Sequence, residues 1–514
     1  MNYNYHSSKE ELFYFCVMEK YEEYKSHCQK IADIEHSISI LNWDQEVYMP
    51  EKSAARRAQQ IATLSGLHHQ VSTDKNYGKL LNKLSSDSSL NEEQKRNIKE
   101  STKEFERNTK FSEEFVTKMS KTISESFIAW QKAKQKDDFS LFAPKLKELV
   151  TLKREECEIL GYEAHPYDAQ LNLYEPGATV KELDFLFDDV KNQLVDFVAQ
   201  IAKAAQNDDS IMLQYFEKSK QVDFTEELLS QMGYDFKAGR QDISSHPFTT
   251  TFSSKDVRVT TRVNENDLSE ILWSSIHEGG HALYEQGLLD ENYGLPAGSY
   301  LSLGIHESQS RLYENNVGRN IVYWNHNFKR LQEIFPEQLE PFNVDDFYKA
   351  MNLVKPSLIR TNADELTYHF HVLIRFEIEK ELIAGNIKVE DLPSIWNKKY
   401  KDYLNIDVPS DSKGVLQDIH WSHGSFGYFP TYSIGSFYAA QFYHQALKEI
   451  PNLENQIENG NLNPLLDWLR NKIHQHGRLF AAEELCIKVT GEKLNFKYFM
   501  KYAKNKYSKL YQLN

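Results

Sequence analysis

Cysteine is scarce in this sequence. Four residues in 514, Cys16, Cys28, Cys157 and Cys486, lie far apart, with no C-x-x-C pair among them. That spacing excludes a disulfide framework or a zinc ribbon and fits thiols in a reducing compartment. No apolar run approaches the roughly 18 residues that a membrane span requires. The first apolar stretch, Leu12 to Met18, follows Lys9, Glu10 and Glu11 in place of a basic segment, with no small-residue cleavage site after it. A signal peptide is therefore not expected, and the cytoplasm is the expected location. Positive charge is also in deficit. The 75 acidic and 60 basic side chains leave a net charge of -15, with a pI near 5.7. That argues against nucleic acid as a main partner, because phosphate contacts need clustered Lys and Arg. Breaks are sparse too. Met49-Pro50, His165-Pro166 and Glu175-Pro176-Gly177 are the clearest, and no repeat or low-complexity tract interrupts the chain.

What is present is helical periodicity. Stretches 7–34, 51–72, 91–135, 138–161 and 179–206 carry apolar residues at three-and-four spacing with charged residues between them. One segment differs: Phe248–Phe252 and Val257–Val263, rich in Thr, Val and Phe, flank Ser253-Ser254-Lys255-Asp256 and read as a β-hairpin. In its second strand Arg258, Thr260 and Arg262 share one face, because strand side chains alternate. Helix is expected again from about Asp267, with a loop at 405–432. The expected fold class is all-α with a small β-hairpin, as one large domain around a cleft.

His277-Glu278-Gly279-Gly280-His281 is an H-E-x-x-H motif. On a helix, positions i and i+4 share a face, so His277 and His281 can direct one nitrogen each at a single ion. Glu278 is then placed to hold a metal-bound water and take its proton. Ile271, Leu272, Trp273, Ile276 and Leu283 around it predict a buried helix, where unpaired histidines and a carboxylate are costly. Each central glycine costs about 1 kcal/mol against Ala in a helix, so the pair needs a reason, such as close approach of substrate or of a neighbouring strand. A catalytic zinc site takes a third protein ligand and keeps an open position for water. Glu285 is a poor choice, since eight residues of helix put it about 12 Å along the axis from His277. Glu307, in His306-Glu307-Ser308-Gln309, and Glu314 are both open on spacing alone.

Six motifs follow in order: His246-Pro247-Phe248, Asp256-Val-Arg258-Val-Thr260, the H-E-x-x-H, His306-Glu307-Ser308-Gln309, Ile359-Arg360-Thr-Asn-Ala363-Asp364-Glu365-Leu-Thr-Tyr and Gly414-Val-Leu-Gln417-Asp418-Ile-His420-Trp421. With Leu41-Asn-Trp43-Asp44 near the start, this resembles the carboxypeptidase Taq family of metallocarboxypeptidases from about Met18 to the C-terminus. Residues 1–17 fall outside the resemblance as an extension of unassigned role, before a single catalytic domain at 18–514. The resemblance implies a cleft-shaped helical fold akin to neurolysin and angiotensin-converting enzyme. It also implies homodimers and release of single amino acids, with broad specificity, from peptides bearing a free C-terminal carboxylate. It makes Glu307 the third ligand, with one Zn2+ per subunit for which Co2+ can substitute. One departure is Tyr313, where the family pattern leads one to expect Trp.

The resemblance extends to substrate residues. The loop His423-Gly424-Ser425-Phe426-Gly427-Tyr428-Phe-Pro-Thr-Tyr432 is similar to a neurolysin-type segment whose histidine and tyrosine face the metal. Tyr428 is therefore expected at the oxyanion, with His423 and Tyr432 at the substrate. An Arg fork suits a terminal carboxylate; Arg258, Arg262 and Arg360 are the choices, and the resemblance favours Arg360. His246 and the Asp256–Thr260 strand are expected to line the cleft floor, the second strand adding backbone hydrogen bonds to substrate. Asp364 or Glu365 is expected to orient a zinc-bound histidine. Two alternatives stand beside this reading: an oligopeptidase or endopeptidase with the same chemistry, and a catalytically silent helical scaffold.

Overall fold

Helix caps divide the N-terminal half more finely than its periodicity does. The computed structural model describes residues 9–513, with side chains from residue 19, so residues 1–8 of the expected extension lie outside the described residues. Helix α1 runs Lys9–Val47, past the expected end at 34. Arg57 holds its last turns, bonding the Leu41 carbonyl and the Asp44 carboxylate, both at 2.6 Å. Helices α2 (Ala54–Ser72) and α3 (Lys75–Ser85) follow. The stretch 91–135 is two helices, α4 (Glu92–Thr109) and α5 (Glu113–Lys136). Asn91 and Gln94 form a capping box on α4, and the Ser112 hydroxyl accepts from the Phe115 N–H to start α5. Helices α6 (Ala143–Leu160), α7 (Pro166–Leu171), α8 (Val180–Lys203) and α9 (Lys218–Met232) lead to the sheet.

The sheet has three strands where the sequence predicts two: β1 (Gly239–Ile243), β2 (Phe248–Ser253) and β3 (Asp256–Thr261), in the order β1-β3-β2. β2 and β3 form the expected antiparallel hairpin, and β1 adds to β3 in parallel. β1 (Gly-Arg-Gln-Asp-Ile) has no alternation of apolar residues to betray it. Beyond the sheet come α10 (Leu268–Glu285) and α11 (Leu303–Arg311), the latter continuing as a π-helix over Leu312–Gly318. The remainder is mainly helical, including Tyr368–Ala384, Pro430–Glu449 and Lys497–Leu510.

Two hydrophobic cores result. The large one joins α5 to α11, the sheet and the C-terminal helices. A small one holds Tyr21, Tyr24, Cys28, Tyr77, Leu81, Leu84 and Ile98 from α1, α3 and α4, Leu90 from the turn between α3 and α4, and Leu295 from the main body. Polar ties cross between them: Tyr293 donates to Asp33 at 2.9 Å, and the Asn97 side chain accepts from the Ala297 N–H at 2.8 Å. Between the cores lies a cavity of about 810 Å³, walled on one side by α1 and α4 and on the other by β2, α10 and α11. No helix of the described residues is long and apolar enough to cross a membrane.

Candidate metal centre

Asp267 caps α10 by accepting the Ser269 N–H at 2.9 Å, which fixes the start of the motif helix. Ile271, Leu272, Ile276 and Leu283 then bury in the main core. The paired glycines are explained by helices, not by substrate or a strand. A Cβ on Gly280 would lie 2.6 Å from the Gln309 carbonyl oxygen and from the Ser310 Cα of α11, and one on Gly279 would lie 2.4 Å from the Leu229 side chain of α9. Gly435 does the same from the other side, where a Cβ would meet Glu307 at 2.5 Å. Glycine thus lets three helices close on the site.

That closeness brings His277, His281 and Glu307 together, each offering one ligand atom within 4.8 Å of the others. Glu307 Oε2 stands 3.4 Å from His281 Nε2 and 3.7 Å from His277 Nε2. Three ligands at about 2.1 Å around a tetrahedral ion would stand about 3.4 Å apart. The donor set therefore fits a zinc-sized divalent ion. Burial, with His306 beside it, pushes His281 down to about 3, which leaves the neutral imidazole that ligation needs. Burial also disfavours a charged His277, but Glu307 and Glu314 outweigh it and raise the group. Burial works against the ionised Glu307 as well, yet Arg311 and His277 hold it well below the usual carboxylate range.

Glu314, the other carboxylate open on spacing, has a different part. Its Oε2 sits 2.8 Å from His277 Nδ1, so it orients the imidazole from behind. Asp364 and Glu365, expected in that role, are elsewhere. Asp364 accepts the Leu366 and Thr367 N–H groups, and Glu365 is buried against Lys506 and Tyr507. Arg311, on the same helix face, donates to Glu307 at 2.7 Å and to Glu314 at 3.1 Å. Glu285 pairs with His306 at 2.9 Å, and the His306 ring stacks on His281 with centroids 4.4 Å apart.

Glu278 is 7% exposed and lines the cavity. Burial raises its pKa, and the Thr249 hydroxyl donates to its Oε2 at 2.7 Å. Thr249 belongs to β2, which corrects the expectation for the hairpin. The second strand, β3, is paired on both sides, so its backbone has no free edge to offer. The hairpin's first strand, β2, is an edge strand, and its Phe248, Thr249, Thr250 and Thr251 line the cavity.

Of the expected substrate residues, Tyr428 and Tyr432 line the cavity beside Glu307, their rings 5.3 Å apart. Burial, with Glu307 nearby, raises the Tyr428 phenol, so it keeps its proton. His423 is not among the lining residues. It is exposed, at the end of a short helix closed by Gly424 (φ 70°), and its ring packs 5.5 Å from Phe127. His246 is exposed outside the cavity as well, and its neighbours Pro247 and Phe248 line it instead. Arg258 is bound to Asp256 at 2.8 Å and lies over Trp43 of α1 at 4.4 Å, tying α1 to the sheet. Arg262 pairs with Glu270 at 2.9 Å. Arg360 is buried behind the wall, bonded to Asp418 and to the Tyr368 hydroxyl, its guanidinium 5.0 Å from the Tyr432 ring.

Sequence reasoning missed Thr249, Arg311 and the part played by Glu314. For the last two a signal existed: Glu307, Arg311 and Glu314 follow at i, i+4 and i+7, on one helix face. Thr249 had none, because its contact is made between a strand and a helix 29 residues on.

Known proteins resemble the chain over nearly all its length. A family model, Carboxypeptidase Taq (M32) metallopeptidase, matches residues 23–507. Carboxypeptidase 1 of Bacillus subtilis (strain 168) is 40% identical over 494 residues, 96% of this chain and 99% of that protein. Thermostable carboxypeptidase 1 of Thermus thermophilus is 40% identical over 488 residues, 92% of this chain and 95% of that protein. The crystal structure of the M32 carboxypeptidase from Deinococcus radiodurans R1 superposes with a TM-score of 0.95 at 38% identity, covering 96% of this chain and all of that one. With the motif helix, its converging ligands and this full-length likeness together, the chain belongs to the carboxypeptidase Taq (M32) family of metallopeptidases.

Proposed function

We propose that the protein is a zinc-dependent carboxypeptidase that releases single amino acids from peptides with a free C-terminal carboxylate. The observation that carries this reading is the convergence of His277, His281 and Glu307 next to a buried Glu278 on the cavity wall. His277, His281 and Glu307 would hold a divalent ion, which would supply Lewis acidity toward the peptide carbonyl and the attacking water. The two-nitrogen, one-oxygen donor set suits Zn2+ and accommodates Co2+.

The chain's own groups do the rest. Glu278 takes the proton from the attacking water and hands it to the leaving amine. Tyr428 donates its hydroxyl to the developing oxyanion. The open edge of β2 aligns the peptide backbone in extended form. Tyr432 receives the terminal carboxylate, with the Arg360 charge behind its ring strengthening it as a donor.

The test combines metal analysis with amino-acid release. Parent protein should bind about one zinc per chain. Glu278→Gln should keep it while losing about 10²–10⁴-fold in kcat. Tyr428→Phe should lower kcat about 10²–10³-fold; an unchanged kcat removes it from the oxyanion. Amidating the peptide C-terminus should abolish release, and undiminished cleavage, or equal cutting of an internally quenched capped peptide, points instead to an endopeptidase. Sedimentation tests the homodimer that goes with this reading.

A further inference from the structure

Glu307 has two carboxylate oxygens, and the structure gives them different neighbours. Oε2 faces the two histidine Nε2 atoms at 3.4 and 3.7 Å. Oε1 accepts the Arg311 Nε–H at 2.7 Å. The Ser310 hydroxyl donates to the Glu307 main-chain carbonyl at 2.7 Å, with a longer second bond to Oε2 at 3.4 Å.

The same guanidinium spans to a second carboxylate. Arg311 Nη1 donates at 3.1 Å to Glu314 Oε2, the oxygen that lies 2.8 Å from His277 Nδ1. One planar fork thus fixes a ligand carboxylate and the carboxylate that orients a ligand histidine. The local backbone serves this. Arg311 is the last residue of α11, and the π-helix that follows carries Glu314; such π segments are frequent at functional sites. Below the guanidinium, the Tyr368 ring lies 4.7 Å away, and its hydroxyl accepts from Arg360 at 2.8 Å. The Arg311 side chain is largely covered, at 14% exposure.

We propose that Arg311 is a positioning residue that makes Glu307 a one-oxygen ligand. This rests on the metal-centre reading above. The physical argument concerns coordination number. An unrestrained carboxylate can close on an ion with both oxygens and fill a position that catalysis needs for water and the peptide carbonyl. Arg311 prevents that by taking Oε1 in a charge-assisted hydrogen bond. A lysine cannot replace it, because a point donor lacks the rigid fork that reaches both carboxylates at once.

The experiment loads Co2+ into the parent, Arg311→Lys and Arg311→Met, and records the visible absorption of the metal with amino-acid release. Four-coordinate Co2+ absorbs more strongly than five- or six-coordinate Co2+. Both variants should lose band intensity relative to parent, and their kcat should fall about 10–100-fold with KM changed less. Arg311→Lys keeps a cation between the carboxylates, so a fold that needs only charge balance survives it. If both spectra match the parent's, Arg311 does not set the denticity of Glu307 and the proposal is overturned. If the parent itself takes up neither zinc nor cobalt, the metal-centre reading fails, which is a separate result.

Discussion

An alanine at position 280 would place its Cβ 2.6 Å from the backbone of α11. Backbone cannot yield as a flexible side-chain tip can, so α10 and α11 must part. Gly280→Ala is expected to destabilise the fold by about 1–3 kcal/mol through overpacking. Because α11 carries Glu307, it should also weaken zinc binding, measured by competition with a chelator. An intact melting temperature with intact zinc affinity would show that the helices have slack there. Thr249 acts on one atom. Thr249→Val removes the side-chain hydroxyl that donates to Glu278 Oε2 at 2.7 Å. A hydrogen bond to a charged group contributes about 1.5–3 kcal/mol, so kcat should drop roughly 10–100-fold while zinc content is unchanged. A kcat within twofold of parent would mean that burial alone holds Glu278.

Between elements, the buried ion pairs join loops that periodicity cannot place. Asp418, from the expected loop at 405–432, receives Arg360 at 3.0 Å and Arg375, from the helix Tyr368–Ala384, at 2.6 Å. Burial opposes its ionisation, but the two guanidiniums hold it well below the usual carboxylate range. Asp418→Asn leaves two buried cations short of a partner and should cost about 3–5 kcal/mol, read from a urea midpoint. The wall that carries Tyr428 and Tyr432 should loosen with it, since Arg360 stands 5.0 Å from the Tyr432 ring. A neutral result would show that Gln417 and Tyr400, which also contact Arg375, suffice.

For the molecule as a whole, pH dependence has an identifiable source away from the metal. Glu175 is buried where the Ser302 hydroxyl and the Gly304 N–H meet it, and burial pushes it up from 4.5 to about 7. Between those values the folded chain holds a proton at Glu175 that the unfolded chain has lost. The stability from the neutral carboxyl is therefore complete below pH 4.5, and it disappears as pH rises through 7. Glu175→Gln should gain stability relative to parent between pH 5 and pH 8. Parallel denaturation curves at the two pH values would contradict this. Zinc gives a second whole-molecule readout: saturating metal should raise the melting temperature, because ligation stabilises only the folded chain.

Much of the fold class and of the metal-binding chemistry was written in local pattern. Spacing of four residues places His277 and His281 on one helix face, and three-and-four periodicity makes the chain helical, because both depend on contacts within a turn or two. The hairpin 248–261 was legible for the same reason, through alternation and a polar turn. Contacts between distant segments were not. β1 became a strand only by pairing with β3, and β2 became the cavity edge only because β1 took the other side of β3. His423 sits in the expected loop, yet its ring packs on Phe127 of α5 outside the cavity. Arg258 and Arg360 carry the right charge for a carboxylate, but Asp256 and Asp418 hold them. Sequence determined which side chains can do the chemistry, since that is a property of residue type and local spacing. Tertiary structure decided which of them reach the cavity, because the packing of helices and strands sets who meets whom.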